Sequence, residues 1–232
     1  KSTTAVNLGH VLARHGKHVV LADLDPQGHL APVLGIFRAP RLGMDAVLLD
    51  GAPLFGNQID TRELLRLVPA GSRLAQVDDL TGGAERAHLL RDAVRNDSQD
   101  VDYLILDCPP SSGLLVANAL LAVDDILVPV TGDYLSLTGL ARLMINIKRF
   151  EPYRDQPVKT NMFLSRFLPR RRLAREVQAK LLQHFPAQLL ATCIKEAAAI
   201  PESTAAGRTV FEFRPSSKAA DEFTHLCDDY LH

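Results

Sequence analysis

Cysteine is scarce: Cys108, Cys193 and Cys227 are the only three in 232 residues, and they stand far apart with no Cys-x-x-Cys. That excludes a disulfide framework and paired-thiol zinc or iron-sulfur sites, and it suits a reducing cytoplasm. Tryptophan is absent, and no apolar run reaches the roughly 18 residues a membrane helix needs. Neither charge dominates: Lys and Arg total 26 against 27 Asp and Glu, for a net charge of -1 and a pI near 6.8. No global basic field therefore advertises nucleic acid, and any such contact must come from a local patch. His10, His15, His18 and His29 lack metal-like spacing with acids and read as surface or loop residues. Internal repeats, low-complexity tracts and linkers are missing too. What is present is 47% hydrophobic content, enough for a large core, and the simplest count is one domain over residues 1–232.

The chain opens on Lys1-Ser2-Thr3-Thr4, the residues with which a phosphate-binding loop ends. In that setting a lysine ammonium reaches the terminal phosphates, a hydroxyl binds Mg²⁺, and the following helix aims its N-terminus at the anion. The glycines of such a loop and an initiator Met are not there, so the expectation is a chain cut at its N-terminus, without a first strand and the Gly-rich half of the loop. Ser2 is placed to cap a helix with Val6, Leu8, Val11 and Leu12 at helical spacing, stopped by Gly16.

Two acidic stretches answer this opening. Val19 to Ala22 reads as a buried strand ending at Asp23-Leu24-Asp25-Pro26-Gln27-Gly28. Val101 to Leu106 reads as a second, ending at Asp107-Cys108-Pro109-Pro110 before a capped helix from Ser112. Carboxylates at strand ends are costly to desolvate without a metal or cation beside them. Between them the chain is irregular to about Gly82, with Leu64 to Val68 the best short strand and Ala84 to Val94 a helix. Further on come strands at Asp125 to Val130, Met162 to Leu164 and Leu189 to Ile194, and helices over Leu135 to Phe150, Arg172 to Phe185 and Ser217 to Leu231. This alternation predicts an α/β fold: a mostly parallel twisted sheet with helices on both faces.

Lys1 to Gly9, Val20 to Gly28 and Asp102 to Ser111 resemble the deviant Walker A tail, Walker A′ and Walker B segments of the ParA/MinD family of partition ATPases, with ParA/Soj proteins the nearest in kind. The similarity continues through Val128-Pro129-Val130, Leu137 to Leu140, the arginines near Arg172, and Gly207 to Ala219. The resemblance implies a P-loop NTPase fold with ATP and Mg²⁺ as cofactors. It puts Lys1, Ser2, Thr3, Asp107 and Pro109 around the nucleotide, and Ser2, Asp23 and Asp107 around the metal. By the same resemblance Asp25 would orient or deprotonate the attacking water and, with Lys1, be catalytic. It also implies a homodimer formed on ATP, whose partner is a ParB-like centromere-binding protein, and a nucleoid-associated place in the cytoplasm. The signature lysine of the family would lie before Lys1.

Arg166 to Arg175 crowd cations at a helix start whose other face is Leu173, Val177 and Leu181, and positive charge there opposes the helix dipole unless an anion compensates. By resemblance Arg170, Arg171, Arg172 and Arg175 would bind DNA without sequence preference. One departure stands against this: many chromosomal relatives read Ile-Pro-Arg where this chain has Ile194-Lys195-Glu196, and Ala199 replaces a further Arg. Asp133 and Tyr134 fall where the family has an interface loop. The alternative is a MinD-like membrane-recruited positioning ATPase or a cargo-positioning relative. The acidic tail from Asp221 to His232 disfavours the membrane form, which calls for a basic amphipathic helix.

Overall fold

The computed structural model describes residues 1–38, 42–81, 84–97, 100–110 and 113–231. Its contacts gather into two compact units, Lys1–Val123 with Thr204–Thr209, and Asp124–Ser203 with Val210–His232.

In the first unit, helix α1 (Ser2–Arg14) leads into strand β1 (Val19–Asp23), whose five residues are all buried. A strand buried on both faces needs apolar side chains throughout, which accounts for the unbroken run Val19 to Ala22. β2 (Ile59–Arg62) and β3 (Leu65–Val68) form a hairpin, and β4 is Tyr103–Asp107. The sheet order is β2-β3-β1-β4, with β1 parallel to both neighbours and β2 antiparallel to β3. The stretch expected to be irregular holds more: short helices α2 (Leu30–Val33) and α3 (Met44–Asp50), and 3₁₀ turns at Leu54–Asn57 and Leu74–Val77. These pieces are too short to show a helical period. The helix predicted from Ala84 is a 3₁₀ turn, Ala84–His88, followed by α4 (Leu89–Asn96).

Helix α5 (Leu114–Ala122) follows β4; the predicted cap at Ser112, like Ser111, Gly82 and His232, lies outside the described residues. Buried Asn118 fixes this helix: its Oδ1 accepts from the Leu90 N–H at 3.0 Å, and its Nδ2 donates to the carbonyls of Arg86 at 2.9 Å and Leu114 at 3.0 Å. The segment Thr204–Thr209 is held by Arg62, which donates to the carbonyls of Leu34 at 2.8 Å and Gly207 at 3.2 Å. Gly207 (φ +64°) and Gly35 (φ +82°) touch: a Cβ on Gly207 would stand 2.6 Å from Gly35 Cα. His10, expected at the surface, is instead bonded through Nδ1 to Thr209 Oγ1 at 2.7 Å, because α1 turns it toward that segment.

In the second unit, β5 (Asp125–Thr131), β6 (Lys159–Phe167) and β7 (Ile194–Lys195) form a parallel sheet in that order. The expected strand from Leu189 shrinks to a single bridge between Leu189 and Met162, and to β7. Helices α6 (Tyr134–Phe150), α7 (Arg172–His184), α8 (Ala199–Ala205), α9 (Val210–Phe213) and α10 (Lys218–Leu231) complete the chain. The α7 side that packs is Ala174, Val177 and Leu181; Leu173 is 38% exposed, one position off the stripe read from sequence. No described helix is long and apolar enough to cross a membrane.

Asn118→Leu keeps the branched shape of the side chain but leaves the buried Leu90 N–H without its acceptor. It should cost about 2–4 kcal/mol of stability in urea unfolding, where an unchanged midpoint would show that these bonds carry little.

Candidate functional site

The parallel pairing of β1 with β4 sets Asp23 directly opposite Asp107. Neighbouring strands lie about 5 Å apart, so two carboxyl groups meet at one sheet edge, both buried. The Leu24 N–H donates to the Asp107 carbonyl at 2.9 Å, carrying the pairing one residue past the strand and fixing where the Asp25 loop departs.

Asp23 organises that loop. Its Oδ1 accepts from the Asp25 N–H and its Oδ2 from the Leu30 N–H, each at 3.0 Å. Burial nevertheless pushes its carboxyl up to about 7; the two N–H donors pull it down, and the Asp107 and Asp25 carboxylates push the same way as burial. Asp25 is half-buried, accepts from the Gln27 N–H at 3.0 Å through its own Oδ1, and its carbonyl accepts from the Gly28 N–H at 2.9 Å. The turn thus closes on itself and leaves the second Asp25 oxygen outside its hydrogen bonds.

Asp107 receives the opening residues of the chain. Burial raises its carboxyl above the usual carboxylate range, against the Ser2 hydroxyl that donates to it and the charge of Lys1 nearby. The Lys1 ammonium donates to the Cys108 carbonyl at 3.2 Å. Ser2 is the first residue of α1, whose N-cap is Lys1 with no side-chain capping bond. The expected cap role for Ser2 is therefore not seen: its hydroxyl goes to Asp107 instead. Thr3 is half-buried, its carbonyl accepting from Asn7 Nδ2 at 2.8 Å. Pro109 is buried beside Cys108, whose thiol is pushed up to about 12 by burial and by Asp107, and so stays protonated.

Does this donor set fit Mg²⁺ with a phosphate? Asp107 Oδ2 is buried with no hydrogen-bond partner, an acceptor still to be matched. It stands beside a hydroxyl, and hard oxygen donors of this kind suit Mg²⁺, which takes one or two protein oxygens and fills its remaining positions with water and phosphate. Among the described residues no group of three or more His, Cys, Asp or Glu could hold a metal alone. The fit is to a metal shared with a phosphate.

The arginines expected to bind DNA lie in the second unit. Arg170 and Arg171 are exposed at the start of α7, with Arg171 as its N-cap. Arg172 pairs with Glu176 at 2.7 Å, and Arg175 donates to the Pro169 carbonyl at 3.3 Å. Arg166, at a register shift in β6 and with φ +49°, pairs with Glu196 at 3.2 Å. Asp133 caps α6 by accepting from the Ser136 N–H at 2.9 Å. Sequence reading missed Asp45, which is buried, and Asp78, an exposed residue whose carboxylate accepts from the Leu115 N–H; an Asp in a first helical turn and an Asp in a loop are too common to single out.

The raised Asp23 value gives a pH signature. A carboxyl near 3.8 unfolded and about 7 folded binds more protons in the folded state, so its contribution is fully present below 3.8 and is lost as pH rises through about 7. Asp23→Asn removes this dependence. In nucleotide-free protein without Mg²⁺, the melting temperature of the variant relative to wild type should be higher at pH 8 than at pH 5 by roughly 2–6 °C. An offset that is the same at both pH values would show that Asp23 does not titrate in this window.

Residues 1–160 match a family model described as AAA domain. The chain is 34% identical over 232 residues to the chromosome-partitioning ATPase Soj of Thermus thermophilus, covering 100% of this chain and 90% of that protein. It is 32% identical to the sporulation initiation inhibitor protein Soj of Bacillus subtilis, over 99% of this chain and 92% of that one. Among solved structures, cobyrinic acid a,c-diamide synthase from Mycobacterium smegmatis, with bound ATP analogue and magnesium, superposes with a TM-score of 0.83 at 27% identity, covering 99% and 88% of the two chains. An ATP complex of Cyanothece McdA shares the fold, with a TM-score of 0.88 at 18% identity over 99% and 91%. With its strand-end acids facing each other in register and its first helix directed at them, the chain belongs to the ParA/MinD family of partition ATPases.

Proposed function

We propose that residues 1–232 act as a single ATPase domain that binds ATP with Mg²⁺, dimerises on doing so, holds DNA without sequence preference, and hydrolyses ATP faster when a ParB-like centromere-binding protein engages it. The observation that carries this reading is the meeting of Lys1, Ser2, Asp23 and Asp107 at one sheet edge, with an unmatched Asp107 oxygen among them. Bound Mg²⁺ and ATP would supply charge neutralisation across the β- and γ-phosphates. The residues of the chain do the rest. Lys1 places a cation at the phosphates; Ser2 and Asp107 provide the metal's protein oxygens, with Asp23 on the metal side; Thr3 and Pro109 line the nucleotide. Asp25, whose turn presents its second oxygen outward, orients the attacking water and takes its proton.

For DNA the supporting feature is Arg170 and Arg171 at the α7 N-terminus, with Arg172 and Arg175 behind them. Such a patch is weak in one subunit, and two brought together in a dimer act as one, which makes binding nucleotide-dependent. The charge balance is modest, since Glu176 and Glu196 each engage a neighbouring arginine. The reading places the protein in the cytoplasm, on the nucleoid.

Two measurements test it. Asp25→Ala in the full-length protein should keep ATP affinity and lose turnover by about 10²-fold; unchanged turnover would remove Asp25 from the chemistry. Anisotropy of a labelled random duplex should rise only with ATP and Mg²⁺ and fall with salt, and Arg170→Ala with Arg171→Ala, which removes four cations from a dimer, should flatten the salt slope by about 4. Equal binding by wild type and variant would move the contact elsewhere.

A further inference from the structure

One short segment of the first unit, residues 69–78, lies against both loops that carry the site's acids, and the carboxylates that fasten it stand outside the site. At one end it is gripped by Asp45, which is fully buried. Asp45 Oδ1 accepts from the N–H groups of Gly43 and Ala46, both at 2.8 Å. Its Oδ2 accepts from the Arg73 N–H at 3.0 Å and faces Arg73 Nε at 3.5 Å. The main chain adds two bonds, Met44 N–H to the Pro69 carbonyl at 2.8 Å and Asp45 N–H to the Ala70 carbonyl at 3.0 Å. The approach is so close that a Cβ on Gly71, itself at φ +81°, would fall 1.9 Å from Asp45 Oδ1. Outside, Arg73 also pairs with Asp50.

What is gripped backs the Asp25 loop. Leu24, the residue between Asp23 and Asp25, packs in one apolar cluster with Met44, Val47, Ala70 and Leu74. Ala70 Cβ stands 3.9 Å from where a Cβ on Gly28 would lie, at the end of the same loop. At its other end the segment caps the helix that follows the Asp107 loop: Asp78 Oδ1 accepts from the Leu115 N–H at 3.0 Å, in the first turn of α5. A Cβ on Gly113 would come within 2.5 Å of that oxygen. A carboxylate at this place satisfies one of the N–H groups the helix leaves unpaired and favours the dipole of its first turn.

We propose that Asp45 and Asp78 are positioning residues, which hold residues 69–78 as a brace behind the Asp25 loop and the start of α5, so that groups outside the site set the placement of the acids within it. The proposal rests on the reading of Asp25 and Asp107 as site acids. Neither Asp45 nor Asp78 touches nucleotide; each acts through the backbone it holds. Asp45→Asn turns an amide toward the Arg73 N–H and guanidinium and releases the brace at that end. Asp78→Asn keeps one acceptor but loses the charge at the helix start.

The test is hydrogen exchange of the full-length protein without nucleotide, followed by steady-state kinetics. In Asp45→Asn the peptide covering residues 24–28 should exchange about tenfold faster, while that covering residues 6–12 keeps its wild-type rate. In Asp78→Asn the acceleration should appear at residues 113–117. With ATP, kcat should fall about tenfold in Asp45→Asn and KM should change less than twofold. Unchanged exchange at 24–28, or acceleration spread evenly over the first unit, would reduce Asp45 to a general stabiliser and overturn the proposal. Should Asp45→Asn fail to fold, Asp78→Asn carries the test by itself: acceleration confined to residues 113–117 is expected, and an even or absent response would overturn the proposal. A wild-type protein that does not hydrolyse ATP would sink the ATPase reading while leaving the exchange result to judge the brace.

Discussion

Two buried carboxyl groups facing each other across adjacent parallel strands are an expensive arrangement, and most of the first unit can be understood as what makes Asp23 and Asp107 tolerable there. Each is desolvated, the Asp107 carboxylate adds to the rise at Asp23, and the Asp25 carboxylate pushes both the same way. The compensation is divided unequally. Asp23 receives two backbone N–H groups and so becomes the anchor of its loop. Asp107 receives a hydroxyl and a nearby ammonium, and keeps one oxygen unmatched. The difference gives the pair a polarity: one acid shapes the chain, and the other remains available to a ligand. A divalent cation at this edge would relieve both, which couples stability to occupancy through ordinary linkage.

Much of this could be read before any coordinates. Val19 to Ala22 has no polar break, so a strand buried on both faces was the natural assignment, and the aspartate that ends it had to emerge at the C-terminal edge. The same logic placed Asp107. Register is a different matter, since strand pairing follows from the whole sheet, and nothing local says that residue 23 faces residue 107. The stretch from Gly28 to Gly82 resisted reading because its order comes from tertiary bonds. Asp45 holds its neighbours through four contacts, three of them to backbone N–H groups, and a pattern of apolar residues cannot report those. His10 was misjudged for a related reason: its partner, Thr209, is 199 residues away in the chain. The α7 stripe was read one residue out, because Leu173 has the hydrophobicity of a core position while the smaller Ala174 has the angle for it.

The second unit shows how charge counts mislead without geometry. Six arginines and lysines between Arg166 and Lys180 suggest a strongly basic surface. Two of the arginines meet acids, one of them the Glu196 that departs from the family pattern. Lys180 lies over the ring of Tyr134 at 4.7 Å, where a cation is held by the aromatic face and by its hydroxyl. The positive field is thereby focused at the first residues of α7, where the helix dipole adds to it.

The small clasp at Gly35, Gly207 and Arg62 bears on how this protein can be dissected. Residues 204–209 return to the first unit after the chain has built most of the second, and Arg62 and Gly35 meet Gly207 only on that return. A fragment ending at residue 123, or even at the residue 160 where the family match stops, would expose the face that this loop covers and leave one of the two carbonyls that Arg62 engages behind. The first unit is therefore not a contiguous gene segment, and a deletion series or a split-protein design that cuts it out as one would be working with an incomplete piece.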